Sequence, residues 1–182
     1  METFTKARPF VENPGFEEER RASIQELNLS FIDPPIVEIV EGFAGLAYCF
    51  TLQSCYGHFL YPGQEDDHNL EPLPVNVSIE SVEYRIAYLA ICIQESPVGR
   101  ELFDELQAIA SIDPKYIQFG SADWFWERQP NSYVLQVEPD EHKYLDRCRI
   151  DYQEALRVEK IRERFFREMT RLLQKRAGAA SV

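Results

Sequence analysis

A chain of 182 residues with 45% hydrophobic and 13% aromatic content can bury a real core, and this composition excludes a disordered or low-complexity chain. Its net charge of −12 argues against a nucleic-acid surface spread over the whole protein, because contacts to phosphate dominate that kind of affinity. No apolar run approaches the ~20 residues that span a bilayer, and the charged stretch from Met1 to Arg20 lacks a signal peptide's apolar segment, so a cytoplasmic protein with no membrane segment is expected.

In chain order, residues 1–13 show no clear period and read as an arm. Glu17 to Leu29 reads as a helix whose acidic first turn suits the positive end of the helix dipole. Asp33-Pro34-Pro35 punctuates the chain. A short helix follows, with Asp33 as N-cap and Gly42 near its end, although Ile36, Val37, Ile39 and Val40 also suit a strand. Leu46 to Ser54 is the clearest buried strand, and Phe59 to Tyr61 starts its partner, which Pro62-Gly63 stops. Gln64 to Pro74 reads as an exposed loop of functional length. Val82 to Ile93 is apolar on both faces, as in a central strand.

Ser96-Pro97 is an N-cap with proline at the first helical position, and the helix runs to about Ala110. Tyr116 to Glu127 and Tyr133 to Val137 are expected to pair as a hairpin around Arg128-Gln129-Pro130-Asn131. From Asp140 to about Lys175 apolar residues recur every three or four positions, so the whole stretch reads as helix. Unbroken, it would approach ~54 Å, longer than a domain of this size is wide. Either it breaks or part of its apolar stripe meets another chain, which makes a homodimer through this helix the partner to expect. Between Arg157 and Arg176 eight Lys/Arg stand against three Glu, a local excess of +5 that leaves −17 for the rest of the chain. That contrast suits a helix lying against the body or an acidic partner, or one laced by short-range pairs such as Glu163–Arg167 and Glu168–Arg171. The fold expected is α+β: a mainly antiparallel sheet of about five strands, flanking helices and a long C-terminal helix. It forms one domain over residues 1–176, with a disordered tail at 177–182.

Chemistry concentrates at the turn Ser54-Cys55-Tyr56-Gly57-His58, where Gly57 can take positive φ without steric cost. Cys55 and His58 flank it closely enough to meet. Four readings stay open. His58 stabilises a Cys55 thiolate, making the two a catalytic pair, though no Asp or Asn is evidently placed to orient the imidazole. Alternatively Cys55 and His58 are half of a zinc site completed by His68, Asp66, Asp67 or His142. Alternatively backbone N–H groups around Gly57 cradle an anionic ligand group. The fourth reading is structural, with Cys55 a packed thiol and His58 a hydrogen-bonded turn residue. Alternation along the strand makes Gln53 the turn's neighbour, while Cys49 lies ~20 Å up the strand, too far to join it. No CxxC pair exists among the four cysteines.

A ligand site at this turn would use Gln53, Ser54, Tyr56 and Gly57, with Trp124 and Gln136 as further lining candidates. Trp124 and Trp126 lie two apart, hence on one face of a strand, where they suit a core as well as a ligand-stacking wall. The acidic loop Glu65-Asp66-Asp67 could attract a divalent cation or simply be solvated. No residue pattern names a cofactor or a substrate.

The order of short helix (Asp33 to Glu41), buried strand (Tyr48 to Thr51) and turn (Ser54, Cys55 and Gly57) resembles a segment of the wybutosine-synthesising tRNA methyltransferases, which carry a Ser-Cys-Ser-Gly-Arg turn. The resemblance covers residues 33–60, with His58 where that family has arginine. It implies an α+β fold with the turn at the edge of a ligand site, which in that family handles S-adenosylmethionine and a tRNA base. Two functional classes follow: a small-molecule or nucleotide-like ligand site at the turn, or a non-catalytic interaction protein whose long amphipathic helix is the working surface.

Overall fold

Two antiparallel sheets share one stretch of chain, and the computed structural model describes them over residues 4–75 and 78–179. In chain order the elements are β1 (Phe4–Lys6), α1 (Phe16–Glu26), α2 (Val37–Ala44), β2 (Cys49–Cys55), β3 (His58–Leu60), β4 (Ser81–Arg85), β5 (Ala87–Ile93), α3 (Pro97–Ala110), β6 (Ile117–Ala122), α4 (Asp123–Arg128), β7 (Ser132–Val137), β8 (Arg147–Asp151) and α5 (Tyr152–Ala179). The larger sheet has the order β1-β6-β7-β5-β2 and the smaller β3-β4-β8. The α+β fold, the five-stranded antiparallel sheet and the long C-terminal helix are as expected; the second sheet is not.

That second sheet arises because the apolar run from Val82 to Ile93 is two strands rather than one. The chain changes sheets at Ile86, whose N–H donates to the Asp146 carbonyl at 3.1 Å. Tyr84 stitches the junction: its hydroxyl donates to the Val137 carbonyl at 2.8 Å and accepts from the Ala87 N–H at 2.9 Å. In β5 and β7 the odd-numbered residues Leu89, Ile91, Ile93, Tyr133, Leu135 and Val137 enter the main core with side chains from α2, α3 and α5. The even-numbered Ala90 and Val134 face the other way, and with Ala122 and Phe125 form a small second cluster against Phe4, Leu52 and Tyr88.

The region expected to be one helix from Asp140 breaks. A 3-10 turn at Asp140–His142 leads to β8, which pairs with β4, and α5 begins only at Tyr152. The stripe of α5 is spent inside the chain: Phe165 and Met169 are fully buried. The positions of α5 that face outward include the charged Arg157, Lys160, Glu163, Arg164 and Arg167. At the basic end, Lys175 and Arg176 pair with Glu105 of α3 at 2.8 and 2.7 Å, and Arg171 pairs with Glu168. The helix continues through 177–179; the rest of the expected tail, 180–182, lies outside the described residues.

Other differences are smaller. The N-terminal arm contributes β1, which pairs with β6. The expected hairpin pairs β6 with β7 as antiparallel strands, but its turn contains helix α4. Helix α3 starts as expected, with the Ser96 hydroxyl accepting from the Gly99 N–H at 3.1 Å. Asp33 precedes the short helix α2 and its 3-10 lead-in but caps neither with its side chain. Among the described residues, no helix is long and apolar enough to cross a membrane.

Candidate functional site

Strand β2 ends at Cys55 and β3 begins at His58, so the chain reverses through Tyr56 and Gly57. Gly57 has φ +90°, and a Cβ there would stand 2.9 Å from the Ala87 Cβ, so the turn closes tightly on the start of β5. Its carbonyl accepts from Arg162 of α5 at 2.8 Å. The Arg162 guanidinium lies over the rings of Tyr56 and Phe59 at 4.2 and 5.0 Å and is buried, with Nε unpartnered among the described residues. Tyr56 is sandwiched by stacking on Phe166 at 5.2 Å. Gly57 and Tyr56 thus build the turn rather than line an opening.

Cys55 and His58 do come together, and a third residue joins them. One ligand-type atom from each of Asp33, Cys55 and His58 lies within 4.8 Å of the others. Asp33 Oδ2 accepts from the Tyr56 N–H at 2.7 Å and stands 3.4 Å from His58 Nε2, while His58 Nδ1 is 3.0 Å from the Asn69 carbonyl oxygen. The anion that the turn's N–H receives is therefore the chain's own Asp33 carboxylate. Sequence reasoning missed Asp33 in this role because it sits over 20 residues upstream and reads as a helix cap. Burial disfavours the His58 imidazolium, but Asp33, Cys55 and the Asn69 carbonyl outweigh it and push its pKa up to about 10. Burial also opposes ionisation of Asp33, but the His58 ring beside it and the Tyr56 N–H that it accepts outweigh burial and hold its carboxyl below the usual range. Both Cys55 and His58 are closed off from solvent, at 4% and 1% exposure. His68 stands edge-on to His58 with ring centroids 6.0 Å apart, but neither it nor Asp66, Asp67 or His142 belongs to the three-residue group. The remaining thiols, Cys49, Cys92 and Cys148, are pushed up to about 12 by burial and are poor nucleophiles.

Gln53, Gln136 and Trp124 belong to a different place. With Arg85, Tyr88 and Tyr144 they line a cleft of ≈ 390 Å³ on the face of the larger sheet turned away from the main core, between α4 and the segment 143–147. Trp124 is on a helix, not a strand, so its i+2 neighbour Trp126 points elsewhere and packs against Tyr133 at 5.9 Å. Trp124 itself is 51% exposed, and Arg128 lies over its ring. Ser54, opposite Leu89 in the ladder, lines neither the cleft nor the buried group.

The cleft's electrostatics run against those of the chain. Arg85 has no ion pair or side-chain hydrogen bond among the described residues, whereas Lys143 is held by Asp140 at 2.8 Å and Arg147 by Asp67 and Glu83 at 2.8 and 3.0 Å. Gln136 spends its Nε2 on the Lys143 carbonyl and on Glu138, so it offers the cleft its carbonyl oxygen. Behind it Glu138 is fully buried with Oε2 unpartnered among the described residues. Burial, reinforced by Asp146 and Asp140 and opposed by the Gln136 hydrogen bond, pushes its carboxyl up to about 9, so it stays neutral at neutral pH. The two regions adjoin: Arg85 of the cleft is opposite His58 in the β3–β4 ladder, and Tyr88 is opposite Cys55 in the β2–β5 ladder.

No family model matches the chain, and no curated protein matches it. Among solved structures it is similar to the PH1069 protein from Pyrococcus horikoshii, with 14% identity and a TM-score of 0.48, over 91% of this chain and 95% of that one.

Proposed function

We propose that the cleft on the open face of the larger sheet binds a small molecule that combines a flat or apolar body with an anionic group. The observation that carries this reading is Arg85, a guanidinium with no ion pair or side-chain hydrogen bond among the described residues, in an aromatic-walled hollow of a chain whose net charge is −12. The Asp33 and Asp67 carboxylates feel the Arg85 charge without pairing with it, and an incoming carboxylate or phosphate would supply the charge-assisted hydrogen bonds they do not. Arg85 is half-buried. Tyr88, Trp124 and Tyr144 supply flat apolar surface, and Gln53 and Gln136 supply polar groups that fix orientation. A hollow of ≈ 390 Å³ suits a ligand of mononucleotide size. The buried Asp33–Cys55–His58 group supports one wall through the two ladder neighbours rather than meeting the ligand directly.

S-adenosylmethionine is one natural probe, because residues 33–60 resemble a family that handles it and because its adenine ring and carboxylate match the aromatic wall and Arg85. The test is a thermal-shift and tryptophan-fluorescence titration with S-adenosylmethionine, adenosine monophosphate and indole-3-acetate. At least one probe is expected to raise Tm and change the Trp124 emission, and Arg85→Ala is expected to weaken it at least tenfold while leaving the unliganded Tm near wild type. Binding that ignores Arg85→Ala, or no response to any probe, overturns the reading.

A further inference from the structure

We infer that Asp33, Cys55 and His58 form a binding site for a zinc-like divalent cation, with three protein ligands and an open fourth position. The competing arrangement for these residues is a nucleophile triad, and the histidine's contacts decide between them. A triad needs the imidazole between thiol and carboxylate, one partner on each ring nitrogen. Here Nδ1 is committed to the Asn69 carbonyl at 3.0 Å and Nε2 faces the Asp33 carboxylate at 3.4 Å, while one ligand atom each of Asp33, Cys55 and His58 lies within 4.8 Å of the others. With the carbonyl on one ring nitrogen and the carboxylate on the other, neither nitrogen is left for the thiol, so the three residues surround a point and do not form a relay.

The Asp33–His58 spacing fits a metal better than a hydrogen bond. Asp33 Oδ2 and His58 Nε2 are 3.4 Å apart, long for a charge-assisted hydrogen bond. It is close to the edge of a tetrahedron, ~3.3 Å when metal–nitrogen and metal–oxygen bonds are ~2.0–2.1 Å. The surrounding contacts are those that hold metal ligands in place: a backbone carbonyl fixes the imidazole through its far nitrogen, and a backbone N–H fixes the carboxylate at 2.7 Å. Charge agrees as well. When the ion binds it displaces the Cys55 and His58 protons to solvent, and the resulting thiolate, carboxylate and neutral imidazole bring two negative charges to a dication, so the buried assembly is neutral overall. The Asp33 side chain, at 18% exposure, gives the ion a route in, whereas His58 is at 1%. Three ligands and an open position are the pattern of sites where zinc activates a water or polarises an oxygen.

This inference is independent of the cleft reading, since the titration uses the metal alone. Full-length protein is stripped with a chelator, then titrated with zinc by calorimetry and thermal shift, and separately with cobalt(II) by absorption spectroscopy. One zinc per chain, a raised Tm and a thiolate-to-cobalt charge-transfer band in the near ultraviolet are expected. Cys55→Ala should abolish the band, and Asp33→Asn and His58→Gln should each weaken zinc at least tenfold. Asparagine keeps an oxygen for the Tyr56 N–H, so Asp33→Asn, with circular dichroism as the check on folding, carries the test if Cys55→Ala does not fold. Absence of a zinc-dependent Tm shift, absence of the cobalt band, or wild-type zinc affinity in Asp33→Asn overturns the site.

Discussion

Glu138 is the residue whose protonation most directly couples the cleft to stability. Its carboxyl is fully buried behind Gln136, with a folded-state pKa of about 9 against an ordinary 4.5. An acid raised in this way holds its proton longer in the folded chain than in the unfolded one, so its burial costs nothing at low pH. Stability is then lost progressively as pH rises from about 4.5 towards 9. His58, also raised, works with the same sign: its contribution is complete below its ordinary value of 6.5 and fades as pH climbs through about 10. Glu138→Gln isolates the first effect, because the amide keeps the contact to Gln136 and cannot ionise. Urea unfolding at about pH 5 and at about pH 8.5 should show a flatter pH dependence in the variant than in wild type. Equal slopes would mean that Glu138 is ionised and partnered in the folded protein. The Cys55–His58 encounter was legible at this scale from a glycine turn between them, but the carboxylate that completes the group was not. Asp33 sits before Pro34-Pro35, where residue type alone suggests a helix cap; only the Tyr56 N–H that it accepts pulls it to the turn.

Helix α5 and strand β8 show what decides an element when local signals compete. Cys148 and Tyr152 keep helical spacing, while Arg147-Cys148-Arg149-Ile150-Asp151 alternates polar and apolar like a strand. Pairing with β4 buries Cys148 and Ile150 and settles the matter, a non-local contribution that spacing alone does not reveal. In the hairpin region the tertiary context overrides again: the aromatic triplet Trp124-Phe125-Trp126 suits a strand, yet as helix α4 it buries Phe125 against the second cluster. The Ser96-Pro97 helix start, by contrast, carries its own capping chemistry and was fully readable. For α5 the structure changes what mutation should do. Phe165 is fully buried against its own chain, so Phe165→Ala should cost about 3–5 kcal/mol in denaturant unfolding. Its oligomeric state by sedimentation should match wild type; a shift in assembly at unchanged stability would instead place Phe165 in an interface.

At the scale of the molecule, fold class and the large antiparallel sheet follow from strand-length apolar runs and turn residues, while the second sheet depends on the break at Ile86, which a continuous apolar run conceals. That break has a mechanical consequence. A single backbone path from Ser81 to Ile93 is the middle strand of one sheet and an inner strand of the other, and Tyr84 clamps the crossing from both sides. Peeling either sheet open therefore pulls on the ladder of its neighbour. Native-state hydrogen exchange should find the amides of β4 and β5 protected to the same extent and released in one cooperative event near the global unfolding limit. The end strand β1 and the last turn of α5 should exchange far sooner. Protection lost first from β4, with β5 intact, would show that the two sheets are separable units rather than one.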